Sequence, residues 1–330
     1  MKTKFIIYKI HFTAPLHLGD ERDDYSVSLK TFQSDAMYAA LTASLAKLGV
    51  EIPPGGDLGF NISSLFPFYQ KSDKDRAIYF FPKPLKQKLP DLKDVKNAKK
   101  VKKVAWFDKD NFEKLIHGQD LFFDESVIST LEGEFLSSQA FDSKFISSQV
   151  SPRVTVSRNQ NEDAKPFYMD RIYFRDYSGL FFLVEGDTSL LNKAMNLLQH
   201  EGIGTDRNIG NGFFEFDTDT IEIDLPESNY MMSLSMFWPE NSDQLKELMD
   251  GDVAYDFQKR GGWISTSPYN TYRKNTVHML MPGSVFKKPK NLNHPIVMGN
   301  IGDLKPEILE GAIRHPVYRS GKSLFIPIKI

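Results

Sequence analysis

Apolar and polar residues alternate over residues 4–12, which puts Ile6, Tyr8, Ile10 and Phe12 on one face and predicts a half-buried strand. A polar connection over residues 18–33 follows. Ser34 then stands where an N-cap belongs, and Met37, Leu41, Leu45 and Leu48 recur at helical spacing until Gly49 stops the run. Pro53-Pro54-Gly55-Gly56 marks a loop. Residues 70–150 hold no single period and read as an insertion with small elements of its own. Beyond it, residues 167–174 and 180–184 flank a turn at 175–179 and predict a hairpin. A helix over about residues 189–199 turns Leu190, Ala194, Leu197 and Leu198 to one side, and a glycine-rich stretch at 202–212 leads into a strand at 213–223.

With the insertion set aside, the order strand, helix, strand, strand, helix, strand predicts an α+β fold of the ferredoxin-like, RRM-like βαββαβ kind. The last third predicts strands at 231–238, 263–266, 277–281 and 323–330, with helices at 243–249 and 304–312. The expectation is therefore two ferredoxin-like domains, residues 1–225 with an insertion at about 55–150, and residues 226–330.

Composition narrows the class. The chain has 330 residues, 41% hydrophobic and 25% charged, with no apolar run long enough for a membrane span, so a membrane partner is not expected. The first residues enter an alternating pattern rather than an apolar leader, and there is no cysteine; disulfides and thiolate metal sites are excluded, and a cytoplasmic location is expected. A net charge of −2 hides local clustering: nine lysines between Lys83 and Lys103 oppose only Asp91 and Asp94.

Several constellations suit a polyanion. Gly202, Gly204, Gly210 and Gly212 permit close backbone approach and offer amides, while Arg207 and Asn208 add side-chain donors. The loop lacks the Gly-Lys-Ser/Thr ending of a P-loop, and a flexible connection with a glycine C-cap is the structural alternative. In the segment from Pro152 to Arg158, alternation gathers Arg153, Thr155 and Ser157 on one side, with Arg158 closing it; a cationic, hydroxyl-bearing strand edge suits a phosphate–sugar backbone, although ordinary solvated charge reads the same way. Ser34 at a helix start offers a hydroxyl to a phosphate or a plain cap, and Asp35 a base, a metal ligand or a dipole partner. Arg260, Arg273, Arg319 and Lys322 lie among Trp263, Tyr272 and Tyr318, where phosphate pairing and base stacking combine; core packing is the alternative for the aromatics. Catalytic signals are poor: no metal-ligand spacing or nucleophile motif occurs, and His17 stands as a candidate acid or base for RNA cleavage.

Pro15-Leu16-His17-Leu18-Gly19, Ser34-Asp35-Ala36-Met37-Tyr38, the 152–158 segment and the 202–213 loop together resemble the RAMP proteins of CRISPR systems. Arg260-Gly261-Gly262-Trp263, Gly283-Ser284-Val285-Phe286 and His315-Pro316-Val317-Tyr318-Arg319-Ser320-Gly321-Lys322 are similar to the fourth subunit of the type III-A Csm complex. The resemblance implies a non-catalytic, cofactor-free and metal-free subunit that binds the 5′ handle of crRNA, with His17, Ser34, Arg153, Thr155, Arg158, the glycine loop, Arg260, Arg273, Arg319 and Lys322 as candidate contacts. It implies docking of the large Cas-ten subunit and a backbone RAMP subunit. A guide-processing endoribonuclease using His17 and a purely structural adaptor remain the alternatives.

Overall fold

The computed structural model describes residues 1–19, 25–86, 101–121, 131–156, 163–290, 292 and 296–330. The chain opens with β1 (Lys2–Phe12) and α1 (Ser34–Lys47), followed by β2 (Phe60–Ile62), β3 (Phe66–Tyr69), β4 (Ile78–Pro82) and β5 (Trp106–Asp108). Next come α2 (Lys109–Ile116), β6 (Leu131–Glu132), β7 (Phe135–Leu136), β8 (Ile146–Thr155), β9 (Lys165–Phe174), β10 (Gly179–Gly186), α3 (Ser189–Glu201) and β11 (Phe214–Asp224). The C-terminal part holds β12 (Tyr230–Ser233), α4 (Ser242–Leu248), β13 (Phe257–Arg260), β14 (Val277–Leu280), β15 (Val285–Lys287), β16 (Ile296–Met298), β17 (Ile301–Asp303), β18 (Tyr318–Ser320) and β19 (Ser323–Pro327).

The fold is mixed α+β. Its main sheet runs β11-β1-β10-β3-β4-β5-β7-β6, with β2 also paired to β10. β1 lies between β11 and β10, antiparallel to both. One face carries α1 and α3: Met37, Leu41, Leu45, Leu191, Ala194, Met195 and Leu198 pack on Tyr8, Ile10, Leu180, Phe182 and Val184. The opposite face packs on the C-terminal sheet, where Phe5, Ile7, Phe66, Phe181 and Ile223 meet Met232, Leu234, Leu324 and Ile326. That second sheet runs β15-β12-β19-β16.

This covering layer corrects the reading of β1. The strand is buried on both sides, and Ile6, expected inside, is 40% exposed. A period-two pattern assigns one face to solvent, and nothing local announces that a distant sheet will cover it.

The 167–174 and 180–184 strands do not form a hairpin with each other. β9 pairs with β8 along its whole length, from Ile146 opposite Phe174 to Thr155 opposite Lys165, whereas β10 pairs with β1, β2 and β3. The chain does turn between them, with Tyr177 at φ 65 and the Ser178 N–H donating to Arg175 O. β10 is buried on both faces and belongs in the sheet centre; β8 and β9 form a separate two-stranded ribbon. β2 and β3 also join the main sheet from within the stretch expected to be an insertion.

Gly49, at φ 73, ends α1 as its position suggests, but Gln33 occupies the cap and no side chain caps the helix. Near the C-terminus, the expected helix at 304–312 is a single turn, Glu307–Leu309, beginning after Pro306. The expected strand at 263–266 reduces to one bridge between Trp263 and Arg273. No helix among the described residues is long and apolar enough to cross a membrane.

Candidate nucleic-acid interface

α3 stops at Gly202, whose φ of 75 lets its N–H reach Leu198 O at 2.8 Å. The glycine loop then folds on itself: the Ile203 N–H donates to Gly212 O at 3.0 Å. A Cβ on Gly212 would lie 1.9 Å from Ile203 O, and one on Gly204 would lie 2.4 Å from His17 O. Both positions are held to glycine by the chain's own backbone. The amides of Gly202, Gly210 and Gly212 are engaged with Leu198, Arg207 and Pro15 carbonyls, so at these three glycines the expected display of amides to phosphate does not occur. What faces solvent is the tip, where Arg207 and Asn208 stand exposed on a 3-10 turn. Arg207 Nη1 makes one long hydrogen bond, 3.4 Å, to Gly202 O.

The segment from Pro15 to Leu18 fastens this loop to the ribbon. Its odd carbonyls accept from the loop, Pro15 O from the Gly212 N–H at 2.7 Å and His17 O from the Thr205 N–H at 2.9 Å. Leu16 pairs in both directions with Ile172 of β9. His17 is consequently interior: 1% exposed, its Nδ1 2.7 Å from Asp170 O and its ring stacked on Tyr25. It is not presented to an RNA strand, because the two elements it joins close over it. On the ribbon, half-buried Arg153 lies opposite Phe167 and exposed Thr155 opposite Lys165. Val150, Val154, Val156 and Tyr168 are all more than half exposed on the same ribbon. Ser157 and Arg158 lie outside the described residues, as do the lysines at 88–100.

A second cluster joins the two parts of the chain. Asp35, fully buried, receives Arg260 Nε at 2.8 Å, Arg260 Nη2 at 3.0 Å and Arg319 Nη1 at 2.5 Å. Arg319 Nη2 donates to Gly261 O at 2.7 Å. Burial alone would raise the Asp35 pKa, but the two guanidiniums override it and hold the carboxyl below its ordinary range. Arg319 and most of Arg260 are thus internal structural cations, which corrects their reading as free RNA contacts; a charge-assisted fork that finds a buried carboxylate is no longer open to phosphate. Ser34 is buried as well, accepting from the Met236 N–H at 2.9 Å rather than capping its own helix. Lys322 Nζ pairs with Asp57 at 2.7 Å, and Tyr318 packs its ring over Gly56. Arg273 remains exposed, 4.8 Å from the Trp263 ring centroid.

Two residues take roles that the sequence did not assign them. Asp35, read as a base, a metal ligand or a dipole partner, pairs with both arginines, and Lys274 sits beside the same cluster, its pKa lowered to about 8 by burial and by Arg319. The run Tyr272-Arg273-Lys274 signals a basic, aromatic patch, but not which of its cations turns inward.

Residues 226–328 match the family model of the CRISPR Csm4 C-terminal domain. A Streptococcus thermophilus protein described as CRISPR system Cms protein Csm4 is 25% identical over 311 residues, covering 91% of this chain and 92% of the relative. A protein of the same description from Thermococcus onnurineus is 28% identical over 54% of each chain. Among solved structures, a chain of the Csm3–Csm4 subcomplex of the type III-A CRISPR-Cas interference complex superposes with a TM-score of 0.61 at 19% identity, covering 99% of this chain and 100% of that one. A chain of the Csm1–Csm4 cassette in complex with pppApA gives a TM-score of 0.58 at 19% identity, with 99% of both chains covered. Residues 226–328 therefore carry a Csm4 C-terminal domain, and the chain as a whole is similar to proteins described as Csm4.

Proposed function

We propose that the chain is a non-catalytic, RNA-holding subunit of a type III-A effector, gripping the 5′ repeat-derived handle of crRNA. It docks a Csm1-type large subunit of the Cas-ten kind and a Csm3-type backbone RAMP subunit. The observation that carries the RNA reading is the joint held by Pro15 to Leu18: it fixes the exposed Arg207 and Asn208 tip and the base of the Arg153 ribbon to one another. Backbone contacts of this kind position a strand without reading its sequence. The strand order β11-β1-β10-β3, with α1 and α3 on one face, supports a ferredoxin-like first domain in which β2 and β3 together stand as the second strand. Among the described residues the C-terminal part holds one short helix, α4, and a single 3-10 turn, Glu307–Leu309, where a second helix was expected, so its β15-β12-β19-β16 sheet is read as a reduced version of the same arrangement.

The docking reading is supported by solved relatives, which come as a Csm3–Csm4 subcomplex and a Csm1–Csm4 cassette. A nuclease reading that depends on His17 is disfavoured by the burial of that imidazole against Asp170 O.

The test is fluorescence anisotropy of handle-containing RNA with the purified chain, over a range of salt. Binding that weakens steeply with salt is expected. A full-length chain that folds yet neither binds nor crosslinks to the handle, alone or assembled with its Csm1- and Csm3-type partners, leaves only the adaptor reading.

A further inference from the structure

A cavity of about 570 Å3 opens at the foot of the ribbon, where the turn after β9 meets the end of β3 and the segment before β8. Its volume falls within the ~300–1,000 Å3 of small-molecule sites. Three rings line it. Tyr69 is 8% exposed and packs edge-on against Phe141, 6.3 Å between centroids, while Tyr177 stands 46% exposed. The turn that carries Tyr177 is fastened on both sides: the Arg175 N–H donates to Phe145 O at 2.9 Å, and the buried Ser178 hydroxyl accepts from the Gln70 N–H at 3.2 Å. Between these anchors Tyr177 is held at φ 65, in the left-handed region that glycine occupies more cheaply. Among the described residues its side chain has no hydrogen bond and no ring partner, so the strained position supports nothing in the fold itself. Backbone strain of this kind collects at ligand clamps. The charged lining is balanced: Arg175 pairs with Asp142, and Lys71 and Asp176 are exposed, with no ionic partner among the described residues.

We infer that this cavity takes one nucleobase, splayed from a bound single-stranded RNA, with Tyr177 as its stacking face. Rings with no net charge around them suit a planar base, whereas a phosphate inside would meet two carboxylates. Lys71 supplies a cation for the phosphate that stays outside. The Asp176 carboxylate accepts from an exocyclic amino group such as cytosine N4, which uracil lacks. The position agrees with this occupant. Ile172, bridged to Leu16 at the joint, lies three residues before Arg175, roughly 10 Å of extended chain. Phe174, between them, stacks on Phe12 at 4.9 Å and fixes the spacing. A strand held at the joint therefore reaches the cavity within a few nucleotides. The inference rests on the RNA-holding reading for the polynucleotide, not for the choice of a base.

The test uses the full-length chain and saturation-transfer NMR with CMP, UMP and ribose 5-phosphate at equal concentration. Saturation of the base protons is expected for CMP above UMP, with no signal from ribose 5-phosphate. Tyr177→Gly, which suits the left-handed φ, is expected to remove the CMP signal without lowering Tm. Tyr177→Phe keeps the signal, and Asp176→Asn removes the preference for CMP. With handle-containing RNA, Tyr177→Gly is expected to weaken binding roughly five- to hundredfold at an unchanged salt slope, since a stacked base releases no counterion. CMP binding in a chain that holds no RNA supports the base site and sinks only the RNA-holding reading. RNA binding indifferent to Tyr177→Gly overturns the inference, as does a CMP signal that survives that variant or is matched by ribose 5-phosphate.

Discussion

Asp35 and Arg319 stand 284 residues apart in sequence and 2.5 Å apart in space, in a bond that no water reaches on the Asp35 side. The carboxylate sits in the first turn of α1, and the guanidinium lies in β18 of the C-terminal part. Together with Arg260 the pair ties both parts of the chain at a single point. Asp35→Ala leaves two guanidiniums facing an empty site, and a loss of about 3–5 kcal/mol in unfolding free energy is expected by chemical denaturation. Replacing the group with apolar side chains of similar volume, Asp35→Leu with Arg319→Met and Arg260→Leu, is expected to recover part of that loss.

The same pair sets an acid limit. The folded-state Asp35 pKa lies below 3.8, so the unfolded chain takes up the proton first as pH falls. The stabilisation is complete above the ordinary aspartate range and is lost as pH drops through the lower, folded-state value. Denaturation midpoints measured from pH 6 downward are expected to fall more steeply in the native chain than in Asp35→Asn.

Lys274 acts at the other end of the pH scale. Its pKa is lowered from 10.5 to about 8, first by burial and then by Arg319. Between those two values the unfolded chain holds the proton that the folded chain has released, so this residue makes stability rise with pH. Unfolding free energies in Lys274→Gln are expected to lose that rise across the same window.

The glycine loop separates packing from exposure. Gly212→Ala drives a methyl group to 1.9 Å from Ile203 O at a φ of 75, and a destabilisation beyond ~2 kcal/mol is expected in thermal unfolding. Gly210→Ala meets nothing within 4 Å, and its cost is confined to the left-handed backbone, about 1–2 kcal/mol.

Arg207→Ala tests the tip. Expected are an RNA affinity lower by roughly 1–3 kcal/mol and an unchanged Tm, since its one internal side-chain contact, at 3.4 Å, is long. An unchanged affinity removes Arg207 from the interface.

Local pattern was enough for the elements whose period is met by their immediate neighbours. The α1 helix, its stop at Gly49, α3 and β11 lie where 3.6- and 2-residue spacing puts them, because the two helices bury their apolar stripes against one face of the sheet that β11 joins. The motifs at 15–19, 202–213 and the C-terminal arginines also carried the family resemblance without any coordinates.

Tertiary structure decided what those residues do. No spacing rule pairs β9 with β8 rather than with the adjoining β10, since strand partners are chosen by which surfaces remain to be covered. Ile6, Ser34, His17 and Arg319 look alike in sequence whether they face solvent or core; their exposure depends on chain segments more than 150 residues away. A lone arginine advertises charge at a distance, but whether that charge meets a phosphate or a buried carboxylate is determined only when the two parts of the chain close on each other.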